Sequence, residues 1–126
     1  MGFKTDYARV AGLGAARHGV GHWWAQRVTS VALIPLTLLA VIPFARAVGA
    51  GHEAVLATYA HPFHAIVAIL FLTVAFRHLH QGLQVVIEDY VHAKAARTAA
   101  LLGNTMFCAL FGLIGAFGVG KIAFAA

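Results

Sequence analysis

Between Arg77 and His92 the chain reads Arg-His-Leu-His-Gln-Gly-Leu-Gln-Val-Val-Ile-Glu-Asp-Tyr-Val-His, a polar run on the end of a long apolar segment. His78 and His80 offer imidazole nitrogens, Gln81 and Gln84 offer amides, and Glu88, Asp89 and Tyr90 close the run with two carboxylates and a phenol. An ionisable side chain in hydrocarbon costs about 2.5–3.5 kcal/mol on insertion scales unless protein, water or a ligand faces it. So many such groups on one membrane helix point to a functional site at its end.

Helical geometry sorts these groups. At about 100° per residue, Gly82 falls one turn from His78 on nearly the same face, and Val85, Val86 and Asp89 continue it. His80 lies about 200° from His78 and starts a second stripe with Gln84 and Glu88. The two imidazoles therefore cannot serve one site inside a bundle. An inward imidazole with a glycine one turn away suits an axial ligand to haem, the glycine making room for a flat macrocycle. One histidine fills one axial position, so a second ligand would come from another chain. The alternative is a hydrogen-bonded packing histidine, and on the residues alone both stay open.

Asp89 and Tyr90 lie about 16–18 Å along the axis from His78. A tyrosine hydroxyl there donates to a carbonyl oxygen, and the neighbouring carboxylate holds the phenol or a water. A quinone head group needs such a donor, proton access and an apolar channel. The competing account is a belt tyrosine beside an ordinary helix-end aspartate. Arg27 suits pairing with carboxylates such as haem propionates, or polarising a quinone, unless it serves only as a surface anchor.

The elements that position these groups follow from composition. The chain has 126 residues, 61% apolar and 10% charged, with a formal net charge of +5. Soluble domains carry roughly 25% charged residues. A membrane span needs about 20 apolar residues, and three segments qualify: 28–48, 63–87 and 98–120. No charge occurs between Val28 and Ala45 or between Thr98 and Gly120. The expectation is an all-α, integral membrane three-helix protein forming a single transmembrane domain over 1–126, with 1–21 as a basic cytoplasmic arm. The first apolar run exceeds the ~7–15 residues of a signal-peptide core and contains Pro35, so it reads as a retained span.

Cationic residues collect on the cytoplasmic side. The arm carries Lys4, Arg9, Arg17 and Arg27 against Asp6, and the connection after the second span carries Lys94 and Arg97. Arg46 and Lys121 fall on the other side. The N-terminus is therefore expected inside and the C-terminus outside, and the basic charge speaks of topology and not of nucleic acid. His22-Trp23-Trp24-Ala25-Gln26-Arg27 marks the interface, where indole rings settle. Pro35 and Pro43 interrupt the first span, and residues 49–61 read as an external loop ending at His61-Pro62. His52, His61 and His64 lack the carboxylate or cysteine that would complete a zinc-type set. Gly112, Gly115 and Gly118 recur as small residues do where helices approach closely. The lone Cys108 rules out a disulfide framework within the chain.

These residues resemble a known family. His22-Trp-Trp-Ala-Gln-Arg27-Val-Thr-Ser, three spans and His78-x3-Gly82-x6-Asp89-Tyr90 together are similar to the small hydrophobic membrane anchor subunit of succinate dehydrogenase (complex II), in its alphaproteobacterial form. The likeness runs from about Gly19 to Gly118, and the His-x3-Gly-x6-Asp-Tyr spacing is its specific part. The resemblance implies packing against a second three-helix anchor, the cytochrome b subunit, which would supply the other axial ligand of a shared haem b. It assigns His78 to the haem iron, Tyr90 with Asp89 to ubiquinone, and Arg27 and His22 to the propionates and quinone pocket. His80 departs from the pattern as a competing ligand. FAD and iron–sulfur clusters would belong to a flavoprotein and an iron–sulfur subunit, and no catalytic group to this chain. The implied location is the bacterial inner membrane, with the C-terminus periplasmic. Other classes stay open: a fumarate reductase anchor, a transporter or proton relay using His78, His80 and Glu88, and a structural assembly factor.

Overall fold

The computed structural model describes residues 5–12 and 19–125; Lys4 and Arg17 of the basic arm lie outside them. The order is α1 (Asp6–Ala11), α2 (Gly19–Ala50), α3 (His52–Ala60), α4 (Pro62–Tyr90) and α5 (Lys94–Ala125), with no strand among the described residues. Helices α2, α4 and α5 are each long and apolar enough to cross a membrane.

Each helix outruns its apolar stretch. The expected span at 28–48 sits inside a helix of 32 residues, because nothing between Gly19 and Val28 breaks the backbone and His22–Arg27 continues it to the interface. Helix α2 runs unbroken through Pro35 and Pro43. A proline there forfeits the hydrogen bond to the carbonyl four residues back, which membrane helices tolerate. The connection after α4 is shorter than expected: only 91–93 separate Tyr90 from Lys94.

The expected loop at 49–61 is instead largely helix α3. Single residues join it to its neighbours. Gly51 takes φ 98° and ψ 179°, a conformation open essentially to glycine. His61 caps α4, its Nδ1 accepting from the Phe63 amide, and Pro62 opens the helix where a missing N–H costs nothing. Helix α3 packs against α2, α4 and α5, which buries Tyr59 and pushes its phenol above the ordinary value.

Helix α4 is the middle of the bundle, in contact with both α2 and α5. Both pairings are antiparallel. Thr29 meets His78 and Gln26 faces Gly82 across the α2/α4 seam. His80 meets Thr105, and Phe76 and Leu72 lie over Gly112 and Gly115 across the α4/α5 seam. The start of α2, the end of α4 and the start of α5 therefore share one end of the bundle, while α3 closes the other.

Two of the three recurring glycines explain the close approach of α5. A Cβ on Gly112 would sit 3.4 Å from Phe76 and one on Gly115 only 3.1 Å from Leu72, whereas Gly118 faces open space. A Gly115→Val substitution is expected to destabilise the α4/α5 packing by about 1–3 kcal/mol through overpacking, and Gly118→Val to leave it unchanged. Thermal unfolding of the detergent-solubilised protein checks this: equal midpoints for the two variants would show that Gly115 is not the contact that sets the seam.

Candidate functional site

The polar residues of α4 separate onto two seams, as their angular spacing requires. His78 is half-buried and turns to α2, where its Nδ1 lies 2.9 Å from Thr29 Oγ1. Thr29 has one hydroxyl proton, and backbone carbonyls claim it: Ala25 O at 2.9 Å and Gln26 O at 3.0 Å. The hydroxyl oxygen therefore accepts, and the His78 Nδ1–H donates. In a neutral ring this leaves Nε2 as the unprotonated nitrogen. Among the described residues no hydrogen bond engages Nε2.

His80 differs. Its Nε2 lies 3.1 Å from Thr105 Oγ1, whose own proton goes to Leu101 O at 3.0 Å, so the ring N–H donates to Thr105. Its Nδ1 accepts from Arg77 Nη1 in a long contact of 3.5 Å. Both ring nitrogens of His80 are thus engaged within the chain. Asn104 anchors the same turn by donating from Nδ2 to the His80 carbonyl at 2.9 Å, and buried Cys108 donates to Asn104 Oδ1 at 3.4 Å. Arg77, His80 and Thr105 line a cavity of about 380 Å³ between α4 and α5. Gln84 and Glu88, the rest of the stripe that His80 starts, bond to one another at 2.9 Å.

Asp89 and Tyr90 end α4 at the bundle end shared with Gly19 and Lys94, and the Tyr90 side chain is 78% exposed. Arg27 is not brought to them. The register that sets Gln26 against Gly82 leaves Arg27 about 14 Å along the axis from Tyr90, and its guanidinium lies over the Trp23 ring, 5.3 Å from the centroid. His22 sits one turn before Gln26 on α2, and its Nε2 is buried without a partner among the described residues. A second cavity, about 490 Å³ and apolar, lies at the α3 end between Tyr59, Phe44, Phe71 and Ile122, remote from Tyr90. Among the described residues no three His, Cys, Asp or Glu side chains gather as a metal set; His61 and His64 approach one another only as a ring pair, 5.6 Å apart.

Sequence reasoning gave no part to three polar residues, Thr29, Gln26 and Asn104, and did not foresee the burial of a fourth, Gln81. Thr29 and Gln26 stood next to the noted Arg27, but nothing in the sequence says which helix they face. Asn104 was legible as the lone amide in the third apolar run. Gln81 was noted for its amide but not for its position: it is fully buried, and neither its Oε1 nor its Nε2 has a partner among the described residues. A buried polar group left unmatched costs about 1–3 kcal/mol. With His22 Nε2 and Gln26 Oε1, also unmatched, the interior near this end of the bundle carries more hydrogen-bonding capacity than the chain itself uses.

Comparison with known proteins gives the family of the chain. The succinate dehydrogenase hydrophobic membrane anchor subunit of Paracoccus denitrificans is 37% identical over 107 residues, spanning 85% of this chain and 82% of that protein. The subunit of the same name from Rickettsia typhi is 24% identical over 86% of each chain. The succinate dehydrogenase membrane anchor subunit of Reclinomonas americana is 27% identical over 68% of this chain and 73% of its own. No solved structure gives a significant match. The sequence profile of the succinate dehydrogenase/fumarate reductase transmembrane subunits matches residues 1–117, and the chain belongs to that family.

Proposed function

We propose that the chain is the small anchor of a succinate:ubiquinone oxidoreductase, giving one axial ligand to a haem b and a phenol to the ubiquinone-reduction site. The observation that carries the haem assignment is the state of the His78 ring. With Nδ1–H committed to Thr29, Nε2 keeps its lone pair, which is what an axial iron ligand requires. The competing imidazole of His80 has both nitrogens in use. A proton relay through His78, His80 and Glu88 gains nothing from this geometry, because the two rings bond to different helices.

The donor set of the chain fits a haem held by one histidine, the second ligand coming from a companion cytochrome b anchor. When bound, the haem supplies one-electron exchange with the quinone site. His78 would hold the iron, and Thr29 holds His78. Arg27 and His22, within about two turns of the His78 level along α2, are the groups placed to meet propionate carboxylates or the quinone pocket, and the level of Arg27 favours the propionates. Tyr90 donates its hydroxyl hydrogen to a quinone carbonyl, and Asp89 holds the phenol or passes a proton from the aqueous surface. The exposure of Tyr90 suits a pocket completed by neighbouring subunits.

A single cysteine cannot supply the four thiolates of an iron–sulfur cluster. Succinate oxidation and cluster transfer therefore belong to a flavoprotein with FAD and an iron–sulfur subunit, and the part of this chain is confined to the haem and the quinone. The excess of cationic residues toward the Gly19/Lys94 end supports a reading with that end in the cytoplasm and the C-terminus in the periplasm of an inner membrane. The family spans both reaction directions, and the curated relatives named above favour succinate oxidation.

A reduced-minus-oxidised visible spectrum of the purified complex is expected to show a b-type haem, lost in His78→Ala and retained in His80→Ala. A signal that survives His78→Ala overturns the ligand assignment. Independently, Tyr90→Phe is expected to lower quinone reduction about two- to tenfold, the worth of a hydrogen bond of about 0.5–1.5 kcal/mol, while succinate oxidation by artificial dyes continues. Equal losses in both assays would mean that Tyr90 serves assembly.

A further inference from the structure

Thr29 stands in no role so far except as the partner of His78, yet its geometry is more specific than packing needs. Three hydrogen bonds converge on its hydroxyl: Ala25 O at 2.9 Å, Gln26 O at 3.0 Å and His78 Nδ1 at 2.9 Å. Ser30 donates to the same Gln26 carbonyl at 2.8 Å. The hydroxyl is thus held in an accepting orientation by the backbone of its own helix. A β-branched side chain in a helix has few χ1 states, so the oxygen is fixed in space as well as in polarity. Across the seam the Gln26 amide lies 3.8 Å from where a Gly82 Cβ would be, an ordinary contact distance, so α2 and α4 are packed together at this level.

We propose that Thr29 is a positioning residue for the axial ligand: its hydroxyl accepts the His78 Nδ1 hydrogen, fixing the tautomer and rotation of the ring so that Nε2 alone is presented to iron. The proposal rests on the haem reading above and extends it to α2. Its chemistry is that of the outer partners of metal-bound histidines, which orient the ring and raise its donor strength. A stronger nitrogen donor favours ferric over ferrous iron, so the Thr29 hydrogen bond lowers the midpoint potential of the haem. The equivalent contact on the other seam, Thr105 with His80 Nε2, engages the opposite ring nitrogen and leaves Nδ1 to Arg77. The two threonines thus assign opposite tautomers to the two histidines.

The experiment uses the intact purified complex and compares Thr29→Val, which keeps shape and loses the acceptor, with Thr29→Ser, which keeps the hydroxyl. Outer partners of this kind are worth about 10–100-fold in metal binding. At the lower end, a tenfold change in ferric-over-ferrous preference is about 59 mV for one electron. Optical redox titration should show the haem of Thr29→Val shifted upward by about that amount, with a displaced low-spin electron paramagnetic resonance signal. Thr29→Ser should match the unmutated complex. Should Thr29→Val fail to assemble, Thr29→Ala carries the same expectation and decides the matter. Unchanged potential and resonance signal in the variant lacking the hydroxyl, or a Thr29→Ser complex shifted as far as Thr29→Val, would overturn the proposal while leaving the haem in place. An unmutated complex without haem would instead overturn the reading on which it rests.

Discussion

A hydrogen-bonding group inside hydrocarbon must find another polar group or a ligand, and that constraint organises the bundle. The α2/α4 seam answers it with Thr29 against His78, and the α4/α5 seam with Thr105 against His80 and Asn104 against the His80 carbonyl. These bonds lie within about one turn of each other on α4, so one short stretch of the central helix is tied to both neighbours. Apolar packing elsewhere is shallow in the isolated chain, with large side chains such as Leu113, Phe117 and Met106 turned outward. Lipid does not drive helices together as water does, so directed bonds and close backbone approach decide which faces meet. The polar stretch thereby sets the register, while Gly112 and Gly115 let α5 come near enough to keep it.

The three spans were legible in the sequence because they depend on apolar length, a property of one segment at a time. The opposition of His78 and His80 was legible for a similar reason, since helical spacing alone separates them by more than half a turn. Gly112 and Gly115 followed from their recurrence, though Gly118, in the same pattern, meets no neighbour. Helix α3 was not legible. His52 to Ala60 is short, mixes polar and apolar residues and sits between Gly51 and His61-Pro62, all of which read as loop. Its helicity is supported by packing against three other helices, which no local signal encodes.

The site was half-legible, and the missing half has one cause. Residue type and spacing identify what α4 offers, but what meets it depends on where α2 lies. Thr29 could be paired with His78 only after the antiparallel register was known. The same register separates Arg27 from Tyr90, which the sequence had grouped by membrane side alone. Gln81 illustrates the limit in reverse: its side chain is polar, yet it occupies the most buried position described. The unmatched atoms of His22, Gln26 and Gln81 lie toward the end where Asp89 and Tyr90 emerge, while a further one, His64 Nδ1, lies at the opposite end of the bundle.

The one-residue joints at Gly51 and His61 leave no slack between α2, α3 and α4. With so little chain to absorb a slip, the vertical offset of the first and second spans is set by the length of α3 as by a spacer of fixed size. One added residue within α4 ahead of His78 would advance the imidazole by about 1.5 Å and swing it by about 100°, away from the hydroxyl that holds it. The corner farthest from the polar end thus acts as a gauge for the seam that joins Thr29 to His78, and length changes there are felt as misalignment at that hydrogen bond and not as local unfolding.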